Sequence, residues 1–223
     1  MGRRGGAKLA DMKKLFASAA LALAAAASAT PAAAEVDSTS PQGFAIKHQA
    51  QVKASPDEVW EALGAPNRWW DSRHSFTGDA DNFFMDMQAG GCFCERIRVT
   101  KDGKLENRGS VEHMRVVYAE PGKVLRMVGA LGPLQSEGVA ATLSIGLKPV
   151  DGGTRITFEY VVGGYMRYPI DEIAPAVDGV IGQQLARLAK LLGGKTSSSG
   201  EKKAGPAEKP AGTDEKKTLD DEE

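Results

Sequence analysis

The sequence lacks several features that would assign a function directly. Its 28 lysine and arginine residues are balanced by 29 aspartate and glutamate residues, so a nucleic-acid partner is not expected. The apolar run at residues 15–27 has about 13 residues, whereas a membrane-spanning helix needs about 20. The chain contains no nucleophile elbow, no HExxH motif and no glycine-rich dinucleotide fingerprint, and no cofactor is predicted.

The N-terminal segment has the order of a secretory signal peptide. Lys13 and Lys14 precede the apolar run, and small residues follow it up to Ala34. Residues 1–34 are therefore predicted to be a signal peptide cleaved after Ala34, and the protein to be periplasmic or secreted. Without them the chain holds 23 basic and 28 acidic residues, a net charge of −5. Residues 35–43 are interpreted as a linker.

The C-terminal segment, residues 193–223, is rich in glycine, proline, serine, lysine and glutamate and has no aromatic residue. Such a composition cannot bury enough apolar surface to fold, so it predicts a disordered charged tail. The remaining residues, 44–192, are predicted to form one domain, which at about 150 residues is long enough for a hydrophobic core.

The domain shows a strand, two short helices, further strands and a long helix. Apolar and polar residues alternate over residues 44–54, Ser55 and Pro56 begin a helix, and Pro66 begins a shorter one. Five strand patterns follow, at residues 92–100, 109–118, 123–129, 139–148 and 154–162. Short turn sequences such as Asp102-Gly103 join them, so neighbouring strands are predicted to be antiparallel.

The last helix is predicted to begin near Pro169 or Pro175 and to end at Leu192. Seven residues form its apolar stripe: Val177, Val180, Ile181, Leu185, Leu188, Leu191 and Leu192. Four polar residues are expected on the opposite side: Asp178, Gln183, Arg187 and Lys190. Gln184 interrupts the apolar stripe, which indicates a polar group facing a cavity between the helix and a sheet.

The domain resembles the START/Bet v1-like superfamily, also called SRPBCC or helix-grip proteins, which includes polyketide cyclase-like and Hsp90-activator-like members. The resemblance is carried by residues 54–60 (ASPDEVW), Gly90-Gly91, residues 119–121 (AEP), residues 132–134 (GPL) and residues 152–156 (GGTRI). It implies an α+β helix-grip fold, in which a curved antiparallel sheet wraps around a long C-terminal helix and two short helices follow the first strand. It also implies a cavity for apolar ligands such as lipids or polyketides.

Each strand contributes residues that can face this cavity. The predicted ligand-binding set is His48, Trp70, His74, Phe93, Glu95, His113, Phe158, Tyr160 and Gln184. The histidines are alternatively hydrogen-bonded core residues, and Trp70 is alternatively core. Glu95 is alternatively paired with Arg115 or Arg96. The facing of His113 is ambiguous, because residues 111–117 do not alternate cleanly.

Cys92 and Cys94 are the only two cysteines in the chain. Export favours a disulfide, but residues two apart in a regular strand are about 6.6 Å apart at Cα, so a bond requires a bulge. Zinc is a minor alternative, with His74, Cys92, Glu95 and His113 as ligands, but their spacing matches no zinc pattern and no metal site is predicted.

Three functions are compatible with these observations. The first is an exported protein that binds a hydrophobic small molecule such as a lipid, polyketide or aromatic compound. The second is an enzyme of the cyclase, dehydratase or lyase type, with Glu95, His113 or Tyr160 as acid or base. The third is a protein-interaction module that works through the long loop at residues 71–91 or through the tail, with an unknown partner.

Overall fold

The computed structural model describes residues 36–194 of the 223-residue chain. The predicted signal peptide and nearly all of the predicted tail lie outside the described residues. Within this range the elements are β1 (Val36–Ser40), β2 (Gly43–Val52), α1 (Pro56–Leu63), β3 (Phe83–Met85), β4 (Cys92–Lys101), β5 (Lys104–Glu120), β6 (Val124–Val128), β7 (Gly138–Val150), β8 (Gly153–Tyr165) and α2 (Ile170–Leu191). Short 3-10 helices occur at Pro66–Arg68, Ser72–His74, Ala80–Asn82 and Gly132–Ser136.

The strands form one antiparallel sheet in the order β1-β2-β8-β7-β6-β5-β4-β3. The connections between β4 and β8 are hairpins, as the turn sequences predict; Asp102, for example, adopts a φ of 49° and Gly103 a φ of 74°. The long helix α2 follows the last strand. This arrangement confirms the predicted α+β helix-grip fold.

Local sequence signals explain where the helices begin. The Ser55 hydroxyl accepts the Glu58 N–H at 3.3 Å, and the Glu58 carboxylate accepts the Ser55 N–H at 2.7 Å, which is a capping box that starts α1. Pro169 precedes the first residue of α2, so the earlier of the two predicted starts is correct, and Pro175 lies inside the helix.

The hydrophobic core lies between α2 and the concave face of the sheet. The helix contributes Val177, Ile181, Leu185 and Leu188, which are all buried. Two predictions for this helix are wrong: Leu191 is exposed, and Asp178 is fully buried rather than on the solvent side. Among residues 36–194, the structure shows no helix that is both long and apolar enough to cross a membrane.

Three other features differ from the sequence-based description. The stretch interpreted as a linker contains β1, which pairs with β2. The short strand β3 lies inside the predicted long loop and pairs with β4. The strand predicted at residues 109–118 begins earlier, at Lys104, because the hairpin turn at Asp102-Gly103 lets β4 and β5 pair up to their ends.

Cys92 and Cys94 form a disulfide, with their Cα atoms 5.5 Å apart. The register of β4 against β5 shifts between Phe93 and Cys94. The pairing is therefore irregular beside the disulfide, but its extra residue is His113 on β5 rather than a residue of the cysteine strand β4.

Candidate functional site

The polar side chains predicted for the interior lie between the sheet and α2, but they do not face an open chamber. Glu95, Tyr160 and Gln184 have no exposed surface, and His113 is nearly buried. Each is hydrogen-bonded to another group of the protein. What this site can do therefore depends on the partners of these side chains.

Glu95 is held by three donors. Its Oε2 atom accepts hydrogen bonds from His113 Nε2 and from the backbone N–H of Phe76, both at 3.0 Å. Its Oε1 atom accepts the N–H of Thr77 at 2.7 Å. The predicted ion pairs with Arg96 or Arg115 are not formed; Arg115 binds Glu112 instead, at 2.6 Å.

His113 is the neutral partner in this group. Burial lowers the pKa of its imidazole, although the hydrogen bond to Glu95 opposes this effect. A carboxylate offers only acceptors, so the hydrogen of the ring lies on Nε2. His113 reaches the interior because it is the extra residue of the β4–β5 register shift, which is also why alternation could not predict its orientation.

Aromatic rings surround this pair. The centroid of the His113 ring lies 5.0 Å from that of Phe93, 5.2 Å from Phe83 and 5.7 Å from Phe76. Trp70 packs against Phe93 at 4.9 Å and is 4% exposed, so it is a core residue. On the far side of Trp70, Trp69 contacts the predicted site residue Phe158, with ring centroids 6.3 Å apart.

Gln184 of α2 makes a second polar link. Its Oε1 atom accepts the N–H of Asp71 at 2.8 Å, and its Nε2 atom donates to Nδ1 of His74 at 2.9 Å. The backbone carbonyl of His74 accepts the indole N–H of Trp70 at 3.2 Å. Burial lowers the pKa of His74, so this ring is neutral with its hydrogen on Nε2.

Asp71 joins the same region to the outside of the molecule. Its carboxylate binds Arg73 at 2.8 Å and accepts the side-chain amide of Gln183 at 3.2 Å. Hydrogen bonds from Arg73 hold its pKa at about 2. Arg187 lies 3.7 Å from the same carboxylate and donates to the Trp69 carbonyl at 2.8 Å.

These contacts converge on one segment, residues 71–77, which we call the latch loop. Glu95 binds its C-terminal part through two backbone amides, and Gln184 binds its N-terminal part at Asp71 and His74. Phe76, near its C-terminal end, is 56% exposed. The latch loop therefore covers the aromatic cluster and is held mainly by interior polar side chains.

Two predicted site residues lie apart from the latch loop. Burial raises the pKa of Tyr160 to about 12, and its hydroxyl accepts the Leu131 N–H at 3.0 Å and donates to the Gly129 carbonyl at 3.4 Å. His48 binds Asp178 through Nε2 at 2.8 Å. The other carboxylate oxygen of Asp178 has no partner among the described residues.

The structure does not assemble the four residues of the zinc alternative. Cys92 is bonded to Cys94, so its sulfur is not available as a thiolate ligand. Within residues 36–194, no group of three or more His, Cys, Asp or Glu side chains is placed to hold a metal ion.

Two depressions of about 280 Å³ each lie at the surface rather than at the predicted interior site. One is lined by residues such as Val128, Ala140 and Thr142, and the other by residues such as Ser38, Ala45 and Val161. Neither includes any of the nine predicted ligand-binding residues.

Sequence reasoning missed several members of the site. Phe76, Phe83, Asp71 and Asp178 carry no motif, and their roles arise from contacts between distant segments. The available signal was the unusual length of the loop at residues 71–91, which is typical of functional segments.

Comparison with known proteins adds a family match. Residues 44–193 match the model of a family described as polyketide cyclase / dehydrase and lipid transport, whereas comparison with curated proteins gives no match. Similar solved structures include the Mll3558 protein from Rhizobium loti, the Aha1 dimer from Colwellia psychrerythraea and Ara h 8.0201. Their identities to this chain are 20%, 16% and 10%, and their TM-scores 0.46, 0.40 and 0.44. They cover 66%, 66% and 67% of this chain and 96%, 95% and 97% of their own.

Proposed function

The chain belongs to the polyketide cyclase / dehydrase and lipid transport family, and we propose that it is an exported protein that binds an apolar small molecule beneath the latch loop. The ligand would lie beneath the latch loop, against the aromatic cluster of Trp70, Phe83 and Phe93. Opening of the latch loop would admit it.

The observation that carries this proposal is how the latch loop is attached. Four of the hydrogen bonds that hold it closed, from Glu95 and Gln184, end on its backbone amides or on His74. Water can replace such bonds when a loop opens, so a segment held in this way opens at a lower cost than a segment held by apolar packing. The exposed Phe76 contributes little packing to the closed state.

The surface beneath the latch loop suits an apolar ligand. It is built from aromatic rings. Glu95 and Gln184, once their bonds to the loop are released, and His113, which binds Glu95, would be its few polar groups. A mainly apolar pocket with a few placed polar groups is typical of small-molecule sites. Because these groups are paired in the closed structure, binding is expected to proceed through a minor open state.

Export is the second part of the proposal. It is supported by the signal-peptide order of residues 1–34. The first strand, β1, begins at Val36, so cleavage after Ala34 would leave the described sheet complete.

The test is binding of the neutral apolar probe N-phenyl-1-naphthylamine, followed by fluorescence, together with the native mass of the protein purified from the exported fraction. We expect one of two results. Either the probe binds saturably, or the protein carries a co-purified mass of a few hundred daltons that is lost on unfolding. Gln184→Ala frees the N-terminal part of the latch loop and is expected to speed probe uptake several-fold.

Gln51→Ala is the matched control, because the exposed Gln51 side-chain amide donates to the Asp151 carbonyl at 3.2 Å and does not touch the latch loop. Its uptake rate should stay near that of the unaltered protein. A native mass equal to that of the bare chain, combined with no probe binding, would refute the proposal.

An enzyme of the cyclase, dehydratase or lyase type is the second candidate. It is favoured by the 3.0 Å contact between Glu95 and His113 in an aromatic environment, because such a pair can exchange a proton with a bound substrate. This candidate would be supported if the purified protein holds a mixture of substrate and product and the Glu95→Gln variant no longer converts one into the other. Conversion by Glu95→Gln at an unchanged rate would show that Glu95 has no part in the mechanism.

A further inference from the structure

The β4–β5 hairpin extends beyond the rest of the sheet. β3 pairs with β4 only at residues 93–95, and β6 pairs with β5 only at residues 115–120. Between these limits the two strands pair only with each other, up to the turn at Asp102-Gly103. We call this projecting part, residues 96–111, the ribbon.

The ribbon exposes apolar side chains near its tip. Leu105 is 62% exposed, and Ile97 and Val99 are each 39% exposed. Val99 is paired with Glu106 and Thr100 with Leu105, so Val99 and Leu105 point to opposite faces of the ribbon. A protein groove would cover one of these faces, whereas insertion of the tip into an apolar layer would cover both.

The ribbon also combines these exposed apolar residues with positive charge. It carries five basic residues (Arg96, Arg98, Lys101, Lys104, Arg108) and two acidic ones (Asp102, Glu106), a net charge of +3 in a chain whose overall charge is −1. One of the two acids, Asp102, occupies a turn position with positive φ that favours aspartate, asparagine or glycine.

We propose that the tip of the ribbon docks on the surface of an anionic lipid membrane. Val99 and Leu105 enter the boundary between headgroups and acyl chains, and Lys101 and Lys104 bind the lipid phosphates. This combination of exposed apolar residues with flanking cations is how peripheral elements attach to anionic membranes. A two-stranded ribbon has little stability of its own in water, so contact with the membrane also stabilises its extended shape.

Docking through the ribbon would place the candidate site at the membrane. Ile97 and Val99 lie on the same face of β4 as Glu95, which binds the latch loop at Phe76 and Thr77. The exposed Phe76 therefore lies at the base of the ribbon. This inference concerns a surface, and it goes beyond the proposed ligand binding without depending on it.

The test is co-sedimentation of the full chain with vesicles of phosphatidylcholine alone or with 30% phosphatidylglycerol. We expect at least tenfold stronger binding to the anionic vesicles, and its loss in about 0.5 M salt, which screens exposed charges. Replacing the cross-strand pair in Lys101→Glu/Lys104→Glu should weaken binding at least tenfold, since each basic residue near such a surface contributes about a fivefold factor and two are lost. Leu105→Ser should weaken it several-fold.

The matched control is Lys148→Glu/Arg155→Glu. These two residues are also exposed cross-strand neighbours, so the change in net charge is the same but lies away from the ribbon. All variants are purified in the same form, so differences between variants report the ribbon alone.

Equal binding to neutral and anionic vesicles would overturn the proposal, and so would equal losses of binding in the ribbon and control variants. Binding to polyglutamate without binding to vesicles would also overturn it, because the partner of the ribbon would then be an acidic protein. Probe uptake by the Lys101→Glu/Lys104→Glu variant, measured separately, distinguishes failure of docking from failure of ligand binding.

Discussion

Glu95 shows how a single buried charge is accommodated in this interior. The carboxylate is fully buried, but it accepts three hydrogen bonds, two from the backbone of the latch loop and one from His113. Burying a charge is costly unless it is paired and hydrogen-bonded. Glu95 therefore links the position of the latch loop to the stability of the core.

We expect Glu95→Ala to lower the free energy of unfolding by about 3 kcal/mol, because it leaves the His113 ring and two backbone amides without their acceptor. Urea unfolding followed by tryptophan fluorescence would measure the change. Glu112→Ala is the control, since this exposed residue of β5 pairs with Arg115 at the surface and should cost no more than about 1 kcal/mol. Equal losses in the two variants would contradict the structural role of Glu95.

At the scale of residues, the sequence predicted which polar side chains are interior but not what they bind. The sequence indicates that Glu95 either binds a ligand or pairs with an arginine, and in the structure it binds His113 and the latch loop rather than an arginine. His113 was ambiguous because it is an extra residue in the β4–β5 pairing, which strand periodicity cannot reveal. The helical wheel predicts Asp178 on the solvent side. This prediction fails because the wheel cannot show that His48, 130 residues away in the chain, binds Asp178.

The helix α2 uses its glycines in two different ways. A Cβ atom built on Gly182 would lie 2.9 Å from Cε1 of His48, so the absence of a side chain lets this ring lie against the helix. A Cβ atom on Gly179 would meet no atom within 4 Å. The same helix therefore contains one glycine required for packing and one that is not.

We expect these two positions to respond with opposite signs to alanine. Gly179→Ala should raise the free energy of unfolding by about 0.5–1 kcal/mol through helix propensity. Gly182→Ala should lower it by about 1–2 kcal/mol, because it displaces His48 from the buried Asp178. Thermal unfolding by circular dichroism would compare them, and stabilisation by both substitutions would show that the His48 contact is unimportant.

At the scale of elements, the sequence predicted the capping of α1, the long helix and most strands. These features depend on local periodicity and turn residues, which the sequence states directly. It missed β1 and β3, since five-residue and three-residue strands at the sheet edges show too little alternation. It also missed the first five residues of β5, where Leu105 is the one apolar residue and no apolar face can be recognised.

At the scale of the whole molecule, buried titratable groups make stability depend on pH. Burial lowers the pKa values of His113 and His74, and hydrogen bonds from Arg73 hold the pKa of Asp71 at about 2. In the unfolded chain the pKa is about 6.5 for histidine and about 3.9 for aspartate. The unfolded state therefore binds more protons than the folded state on the acid side of neutrality.

We expect the free energy of unfolding to fall as the pH is lowered from 7.5 to 5, by up to about 1.4 kcal/mol per pH unit for each histidine, with a further loss below about pH 4 from Asp71. Urea titrations at each pH would measure it. Asp71→Asn should remove part of the loss below pH 4 and enlarge the histidine part, because the Asp71 charge raises the pKa of His74 against the effect of burial. Stability that is constant or rising between pH 7.5 and 5 would contradict the pKa directions.

The order of the strands also determines when this protein can fold. β2 lies next to β8 in the sheet, and its pairs join residues as far apart in the chain as Gly43 and Gly163. The first half of the chain therefore cannot complete a sheet by itself, and the core forms only after β8 and α2 have been synthesised. Pairing over such sequence distances is slow. For the export proposed above, late closure of the sheet would give the export machinery time to act before the fold is complete.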